Sequence, residues 1–428
     1  MSEQGVWGRS PQICMILSSM SSVVVHYGEL ALKGRNRPWF TSMLVRTIEA
    51  VLGGLDVRDV RPLVGRIVIR LGPQGDAQWP DIRERLSRLP GIGNFARATH
   101  VVPDLDAIAT AVAAEATHQA ARSFRVTARR ADKRFPIPSP DIEREVGRRV
   151  QQATGWPVDL DHPEVHVRVE VLSTDAYFHF SREPGVGGLP IGTSGSVMTL
   201  ASGGIDSPVA AWRMMRRGCR THFVHFHSYP ILSATSQEKV REVVRLLTRF
   251  QLRSKLFLVP FGAIQQQVVV SVPPALRVVV YRRLMMRIAE RLALRTHAHA
   301  LVSGDSVGQV ASQTIDNLAA IGEVVTLPLL RPLVGFHKEE ITADAQRIGT
   351  YSTSVIPDED CCTLFTPRYP TTGARRGEAE VAEAELDVAG LVAQAVDAAA
   401  LEEFRFPMVD LAPAEAIHGV SERHADES

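Results

Sequence analysis

Residues 197–208 read VMTLASGGIDSP, a strand-like run followed by a short loop with two glycines and by a proline suited to open a helix. Gly203 and Gly204 let the backbone pass close to a ligand, and the N–H groups that follow point at an anion from the helix N-terminus. Pro208 in the first turn loses no needed hydrogen bond. Beside bound phosphates, Asp206 is suited to hold Mg²⁺. The stretch predicts a phosphate-binding loop, with a plain strand-to-helix turn as the alternative.

The chain from Val197 onward alternates apolar strands with helical patterns. The runs THFVHFH (221–227) and KLFLVPF (255–261) are strand-like, and SQEKVREVVRLLTRF (236–250) between them has helical periodicity. This alternation predicts an α/β domain with a parallel, doubly wound sheet over residues 197–373. The Gly-rich residues 185–196 before it are expected to be a linker.

Two smaller α+β units are expected before this domain, over residues 22–80 and 81–184. In the first, RPLVGRIVIRLG (61–72) reads as a strand by alternation, and the second contains the strand pattern FRVTARR (124–130). Residues 1–21 are expected to be a disordered extension. Residues 374–428 are rich in Ala and Glu, so we expect an acidic helical tail without strands.

The net charge of +1 over 428 residues conceals an uneven distribution. Residues 377–428 contain 13 acidic and 2 basic residues, which leaves 46 basic and 34 acidic residues in the rest of the chain. A body of charge +12 favours a polyanionic partner, although a well-solvated surface has the same composition.

Composition also excludes several classes of protein. No apolar run approaches the roughly 18 residues of a membrane span, so no membrane association is expected. The four cysteines are too few and too scattered for a disulfide framework, which indicates a reducing compartment and a cytoplasmic protein. The first 21 residues lack the features of a signal peptide.

Several long strings resemble one known family. SGGIDS (202–207) is the signature of the PP-loop ATP pyrophosphatases, which cleave ATP between the α and β phosphates. HYGELALKGRNRPWF (26–40), FRVTARRADKRFP (124–136), GDSVGQVASQTIDNL (304–318) and RPLVGFHKEEI (331–341) further resemble the tRNA 4-thiouridine synthetases, also called tRNA sulfurtransferases or the ThiI family. The resemblance implies an N-terminal ferredoxin-like domain, a THUMP RNA-binding domain and a PP-loop adenylation domain.

The family resemblance implies a function and its partners. ATP with Mg²⁺ would adenylate the C4 oxygen of uridine 8 in tRNA, and persulfide sulfur would displace AMP to give 4-thiouridine. A second family role is thiolation of the sulfur carrier protein of thiamine (thiazole) biosynthesis. The chain resembles the short form of the family, without a rhodanese domain, so a separate cysteine desulfurase would supply the sulfur. A homodimer is expected, and flavin, nicotinamide, zinc and an iron–sulfur cluster are not.

Matching positions suggest the nucleotide site. Asp206 and Lys338 are expected to be catalytic, with Asp206 holding Mg²⁺ and Lys338 stabilising the leaving pyrophosphate. One departure from the family is Asp305, where Glu is expected. The expected ATP-binding residues are Leu200, Ala201, Ser202, Gly203, Gly204, Asp206, Ser207, His225, Phe226, Arg282, Gly304 and Gln313.

Basic clusters in the first two units are the candidates for tRNA binding, because Lys and Arg neutralise phosphates. A solvated basic face is the alternative. The candidate residues are Lys33, Arg35, Arg37, Arg125, Arg129, Arg130, Lys133 and Arg134.

The adjacent cysteines Cys361 and Cys362 are the candidates for sulfur relay, and a strained vicinal disulfide is not expected between them. By resemblance Cys361 is the first choice for a catalytic persulfide, with an inert buried thiol as the alternative. The histidines His222, His225 and His227 lack Cys or carboxylate partners at zinc spacing, so a strand-end histidine lining the nucleotide is the favoured interpretation.

Two other functions fit part of the same sequence. A PP-loop amidotransferase or lysidine synthetase would share SGGIDS without the other strings. A catalytically silent tRNA-binding protein would keep the basic units but lose the loop, which Asp206 and Lys338 argue against.

Overall fold

The computed structural model describes residues 21–131, 133–357, 365 and 369–407. These residues form two compact units, one over 21–49 and 55–188 and the other over 189–407 together with 50–54. The division after Gly188 falls inside the stretch 185–196 that was expected to be a linker. Residues 1–20, and with them most of the predicted extension, lie outside the described residues.

The first half of unit 1 is built on a β-hairpin and two helices. The predicted single strand over residues 61–72 is in fact the end of one strand and the whole of the next, turning at Gly65, whose φ of +76° suits glycine. The elements are β1 Ser21–His26, α1 Arg37–Val51, β2 Val57–Leu63, β3 Arg66–Leu71, α2 Trp79–Ser87 and β4 Asn94–Val101. The boundary predicted between residues 80 and 81 falls within α2.

The second half of unit 1 continues the same sheet. Its elements are α3 Leu105–Ala116, β5 Phe124–Arg130, α4 Ser139–Thr154, β6 Val165–Val171, β7 Ala176–His179 and the short β8 Glu183–Pro184. The strand order is β2-β3-β1-β4-β7-β6-β5, with β8 also paired to β4. Because β5 and β6 alternate apolar and polar residues, their Val and Ala side chains pack under α3 and α4 in one core while the polar ones face away.

Unit 2 contains the predicted parallel sheet. Its elements are β9 Ser196–Leu200, α5 Asp206–Arg216, β10 Arg220–His227, α6 Thr235–Gln251, β11 Arg253–Pro260, α7 Gly262–Ser271, α8 Arg277–Arg295, β12 Leu301–Val302, α9 Ile315–Gly322, β13 Leu329–Leu330, α10 Lys338–Ile348 and α11 Tyr351–Ser354. The pairs β13-β12-β9-β10-β11 are all parallel. The predicted α/β multidomain class is confirmed.

The expectation of a tail without strands is wrong. The described part of the tail, residues 374–407, folds as α12 Arg376–Glu383, α13 Val388–Asp397 and β14 Ala400–Arg405, and β14 pairs antiparallel with β11 at the edge of the sheet. The strand sequence ALEEFR has no strong apolar alternation of its own. Its position is instead set by ladder hydrogen bonds to β11 and by acidic side chains that meet basic ones, such as Glu402 with Arg241 at 3.0 Å.

Buried ion pairs anchor the tail to the body of unit 2. Arg283 on α8 is 1% exposed and pairs with Glu383 of α12 at 2.8 Å and with Glu323 after α9 at 2.6 Å. Arg287, one turn further along α8, also reaches Glu383 at 2.9 Å. Glu383 therefore satisfies two guanidinium groups, one of which has little access to water.

No helix in the described parts of the chain combines the length and apolarity needed to cross a membrane.

The Glu383 pair gives a stability prediction. Glu383→Ala should lower the free energy of unfolding by about 3 kcal/mol, the low end for breaking a buried pair, since Arg283 keeps Glu323. Asp397→Ala is the matched control, because Asp397 lies in the same tail but its side chain is 74% exposed in its pair with Arg295. The control should cost about 1 kcal/mol or less. Urea unfolding measures both, and equal losses would contradict the anchoring role.

Candidate functional site

The loop between β9 and α5 is braced from within by two serines. Ser207 Oγ accepts a hydrogen bond from the backbone N–H of Ser202 at 2.9 Å and lies 3.2 Å from Ser202 Oγ. Gly204 N–H donates to Ser202 Oγ at 3.2 Å. These contacts hold the first turn of α5 against the end of β9, so that the helix N-terminus opens toward the carboxyl edge of the sheet, where doubly wound folds bind ligands.

Gly304, just after β12, packs directly on this turn. A Cβ atom at residue 304 would lie 2.8 Å from the backbone N of Ser207 and 2.9 Å from the carbonyl carbon of Asp206. Real Cβ contacts are not that short, so only glycine fits. Gly304 was expected because a nucleotide must approach the backbone closely. The structure adds a second reason for glycine at this position, which is that two backbone segments of the protein itself lie in contact there.

A cavity of about 280 Å³ lies at this edge of the sheet. Ten of the twelve expected ATP-binding residues line it, and Gly203 and Gly204 are the two that do not. Six further lining residues are Val278, Met285, Ser303, Asp305, Val310 and Ser312. The apolar members of this set come from α8 and a loop, where nothing in the sequence distinguishes them from ordinary core residues.

Asp305 is the centre of a polar network in the cavity wall. It is 2% exposed and pairs with Arg282 of α8, while Ser303 Oγ donates to it at 2.6 Å and Arg331 Nε lies 3.5 Å away. Burial alone would raise the pKa of Asp305. The charge and hydrogen bonds of Arg282, the hydrogen bond from Ser303 and the charge of Arg331 outweigh burial and lower the pKa below its usual value. Asp305 is therefore ionised at neutral pH.

Asp206 and Lys338, two of the three expected catalytic residues, meet across the loop. Lys338 Nζ donates to Asp206 Oδ1 at 2.6 Å, and Gln309 Nε2 donates to Oδ2 at 3.1 Å. Lys338 is the first residue of α10, and Asp206 is the first residue of α5. One carboxylate at a phosphate site fits Mg²⁺, which takes one or two protein carboxylates and completes its shell with phosphate oxygens and water.

The histidines of β10 are buried. Burial, the largest cause, lowers the pKa of both His222 and His227 to about 4. His225 Nδ1 lies 3.0 Å from the carbonyl oxygen of Ala201, and so ties the end of β10 to the end of β9 at the cavity. Among the described residues, no group of three or more His, Cys, Asp or Glu side chains is placed to hold a metal ion.

A cluster of four arginines lies in unit 1, and we call it the arginine cluster: Arg125, Arg129, Arg168 and Arg182. In the parallel pairing of β5 with β6, Arg125 is in register with His166 and Arg129 with Glu170, so the polar residues of both strands share the face turned away from the helices. Burial lowers the pKa of Arg168, and the charges of Arg182, Arg125 and Arg129 lower it further. The four guanidinium groups thus repel one another, and a bound polyanion would relieve that repulsion.

Arg168 and Arg182 are not among the tRNA-binding residues predicted from the sequence. The alternation in HVRVEV places Arg168 on the same face as His166 and Glu170, so it could have been found from the pattern. Arg182 follows β7 in a segment without periodicity, and no sequence signal identifies it.

The other expected tRNA-binding residues are dispersed. Arg130 points to the opposite face of β5 from Arg129 and donates to the carbonyl oxygen of Phe135 at 2.9 Å. Lys33 Nζ lies 5.0 Å from the ring centroid of Phe40, and Arg37 donates to the carbonyl oxygen of Ala31 at 3.0 Å. Of all eight expected tRNA-binding residues, those with exposed side chains are Arg35, Arg37, Arg129, Lys133 and Arg134.

The expected sulfur-relay residues Cys361 and Cys362 lie outside the described residues. On the near side of that stretch, Ile356 accepts a hydrogen bond from Lys239 Nζ at 2.6 Å, and Ser354 Oγ donates to the carbonyl oxygen of Gly204 at 3.3 Å. The chain at Ser354, a few residues before the cysteines, is therefore attached to the SGGIDS loop. Cys219 is buried, and burial raises the pKa of its thiol, so it is a poor nucleophile.

Comparison with known proteins identifies the family. A probable tRNA sulfurtransferase of Thermus thermophilus is 48% identical over 370 residues, covering 86% of this chain and 90% of that protein. The chain belongs to the tRNA sulfurtransferase family. A second member, from Brevibacillus brevis, is 41% identical over 385 residues, covering 89% of this chain and 96% of that protein.

The tRNA sulfurtransferase assignment extends to each domain. Residues 192–388 match the family described as thiamine biosynthesis protein (ThiI), residues 100–179 match the THUMP domain, and residues 22–96 match the ThiI ferredoxin-like domain. None of these is a rhodanese domain. An amidotransferase or a lysidine synthetase, the rivals that share only SGGIDS, does not account for the two N-terminal matches.

A solved structure agrees over nearly the whole chain. It is a 4-thiouridine synthetase in complex with RNA and bound ATP, with a TM-score of 0.81 and 34% identity, covering 90% of this chain and 100% of that one. A protein of Pyrococcus horikoshii, with a TM-score of 0.57 and 23% identity, shares the fold alone. The tRNA sulfurtransferase fold is thus confirmed by sequence and by structure.

The close packing of Gly304 gives a prediction about the nucleotide site. Gly304→Ala should push the turn at Asp206 and Ser207 out of place, at a cost of about 1–3 kcal/mol, and so weaken ATP binding by about tenfold or more. Gly335→Ala is the matched control, because a Cβ there meets nothing within 4 Å. Calorimetric titration with ATP checks both variants. Unchanged affinity in Gly304→Ala would show that the loop tolerates the displacement.

Proposed function

We propose that this chain is an ATP-dependent tRNA sulfurtransferase that converts uridine 8 of tRNA to 4-thiouridine in the cytoplasm. The observation that carries the proposal is the cavity beside the SGGIDS loop, which is lined by ten of the expected ATP-binding residues. One of them, Asp206, is paired with Lys338. The ATP and RNA bound to the 4-thiouridine synthetase of similar fold support the same substrates here.

The first step of the proposed reaction is adenylation of the base. ATP lies with its phosphates at the N-terminus of α5, where backbone N–H groups and the helix dipole favour negative charge. The C4 oxygen of the uracil attacks the α phosphorus, and pyrophosphate leaves. Lys338, released from Asp206, stabilises the charge on the leaving pyrophosphate. Bound Mg²⁺ would neutralise phosphate charge next to Asp206.

The second step replaces oxygen by sulfur. A cysteine desulfurase loads Cys361 with a persulfide, whose terminal sulfur attacks C4 of the adenylated base and expels AMP. The base is then joined to Cys361 through an S–S bond. A small-molecule thiol, such as the free cysteine of the reaction mixture, attacks the sulfur of Cys361, so the electron pair of the broken S–S bond stays on the base sulfur and a mixed disulfide forms. A second molecule of that thiol then reduces the mixed disulfide and returns Cys361 to its thiol form. The product is 4-thiouridine.

Two further roles rest on family resemblance alone. The same adenylation and sulfur transfer would act on the C-terminal carboxylate of the sulfur carrier protein in the thiamine pathway. A homodimer is the expected assembly. Both are proposals to be tested on the purified full-length chain, by mass analysis of the carrier and by sedimentation.

Thiolation of tRNA provides the direct test. Purified protein with ATP, Mg²⁺, a cysteine desulfurase, cysteine and unmodified tRNA should produce an oxygen-to-sulfur mass change in the nucleoside from position 8. Asp206→Asn should abolish the change, and Cys361→Ser should lose it while Cys362→Ser retains more. Cys219→Ser is the matched control, since that thiol is buried and should be dispensable. Absence of the mass change with wild-type protein would overturn the proposed function.

The arginine cluster gives a separate prediction about tRNA binding. The double variant Arg129→Ala/Arg168→Ala should bind tRNA more weakly, because two phosphate-neutralising groups are lost. Each lost contact should also reduce the slope of log affinity against log salt by about 0.7–0.9. Arg245→Ala, which removes an exposed arginine already paired with Glu242 on α6, is the control. Filter binding at several salt concentrations measures both, and an unchanged slope in the double variant would exclude this face.

A further inference from the structure

Gln313 places one half of its amide against Asp305 and the other half toward the cavity. Its Nε2 lies 3.3 Å from Asp305 Oδ1. Its Oε1 is buried and has no hydrogen-bond partner among the described residues, and Gln313 lines the cavity. A buried acceptor without a donor is costly, so an unpaired oxygen at a ligand site indicates that the ligand brings the donor.

The orientation of this amide follows from the charge of Asp305. An ionised carboxylate only accepts hydrogen bonds, so the group that faces it must be the NH₂ of Gln313 and not its oxygen. The pairing with Arg282, together with Arg331 nearby, keeps Asp305 charged in its buried position. The carboxylate therefore determines which end of the Gln313 amide is presented to the cavity.

We propose that Asp305 is a positioning residue for nucleotide specificity, which holds Gln313 so that its Oε1 accepts a hydrogen bond from the nucleoside part of ATP. The phosphate oxygens of ATP are themselves acceptors and would be repelled by Oε1. The donors that remain are the ribose hydroxyl groups and the 6-amino group of adenine. The inference rests on the proposed function, because it takes ATP as the ligand of this cavity.

The test compares nucleotides that each lack one donor. Affinities of the full-length protein are measured by calorimetry for ATP, 2′-deoxy-ATP, 3′-deoxy-ATP and purine riboside triphosphate, which lacks the 6-amino group. In the wild type, the analogue that lacks the donor read by Gln313 should bind about three- to tenfold more weakly than ATP, as expected for one hydrogen bond. The identity of that analogue distinguishes ribose from base.

Variants at Asp305 then test the positioning role. Asp305→Asn offers both a donor and an acceptor, so the Gln313 amide can turn. The ratio of the affinity for ATP to the affinity for the analogue that lacks the donor should then fall toward one. Asp305→Glu keeps an acceptor-only carboxylate and should retain the ratio. Asp344→Asn is the charge control. Asp344 on α10 pairs with Arg213 on α5, and neither residue lines the cavity. Gln313→Leu removes the acceptor itself and should bring the ratio to one even if Asp305→Asn fails to fold.

The outcomes separate the inference from the proposed function. If wild-type protein does not bind ATP, the proposed function fails and the inference with it. If ATP binds but all three analogues bind equally well, Gln313 reads no donor, and the inference fails while the proposed function stands. If the ratio persists in a folded Asp305→Asn variant, Asp305 does not position the amide, and the inference is likewise overturned.

Discussion

The approach of Gly304 to the first turn of α5 is the constraint on which the nucleotide site depends. Two backbone segments touch there with no side chain between them. This contact sets the end of β12 against the SGGIDS loop, and so determines where Asp305 and the residues after it enter the cavity wall. Had residue 304 carried a Cβ, Asp206 and Ser207 would have to move, and the helix N-terminus would no longer open onto the same space.

The sequence separates a basic body from an acidic tail, but in the folded chain acidic residues of the tail lie against arginines of unit 2. The tail is acidic, yet the structure does not leave it as a free polyanion: Glu383, Asp397 and Glu402 each pair with arginines on the helices of unit 2. The described part of the tail, up to residue 407, thus neutralises arginines of its own unit and adds a strand to the sheet. These three ion pairs all lie within unit 2. In unit 1 the mutual repulsion of the arginine cluster supports the sheet face as the proposed RNA-binding surface.

Much of the site could be predicted from the sequence, because its parts are contiguous. The loop from Ser202 to Ser207 is a local strand–loop–helix unit, and Lys338 lies in a string long enough to match a family. The residues that could be identified only from the structure come from distant elements, and no local sequence pattern marks them. Gln309 is one, since its contact with Asp206 spans 103 residues of chain, and Arg182 and Met285 are others. The strand β14 was missed because its pairing with β11 depends on an edge that exists only after the sheet has formed.

By itself, the sequence determined the domain order, the α/β class of unit 2 and the position of the SGGIDS loop between a strand and a helix. Periodicity and short-range geometry are properties of neighbouring residues, which makes them readable before folding. The tertiary structure alone decided which end of the Gln313 amide faces the cavity, how Asp305 stays charged while buried, and where the acidic tail lies. Each of these depends on charged groups from separate elements. The cost of burying those groups is offset by their partners only when the elements pack together.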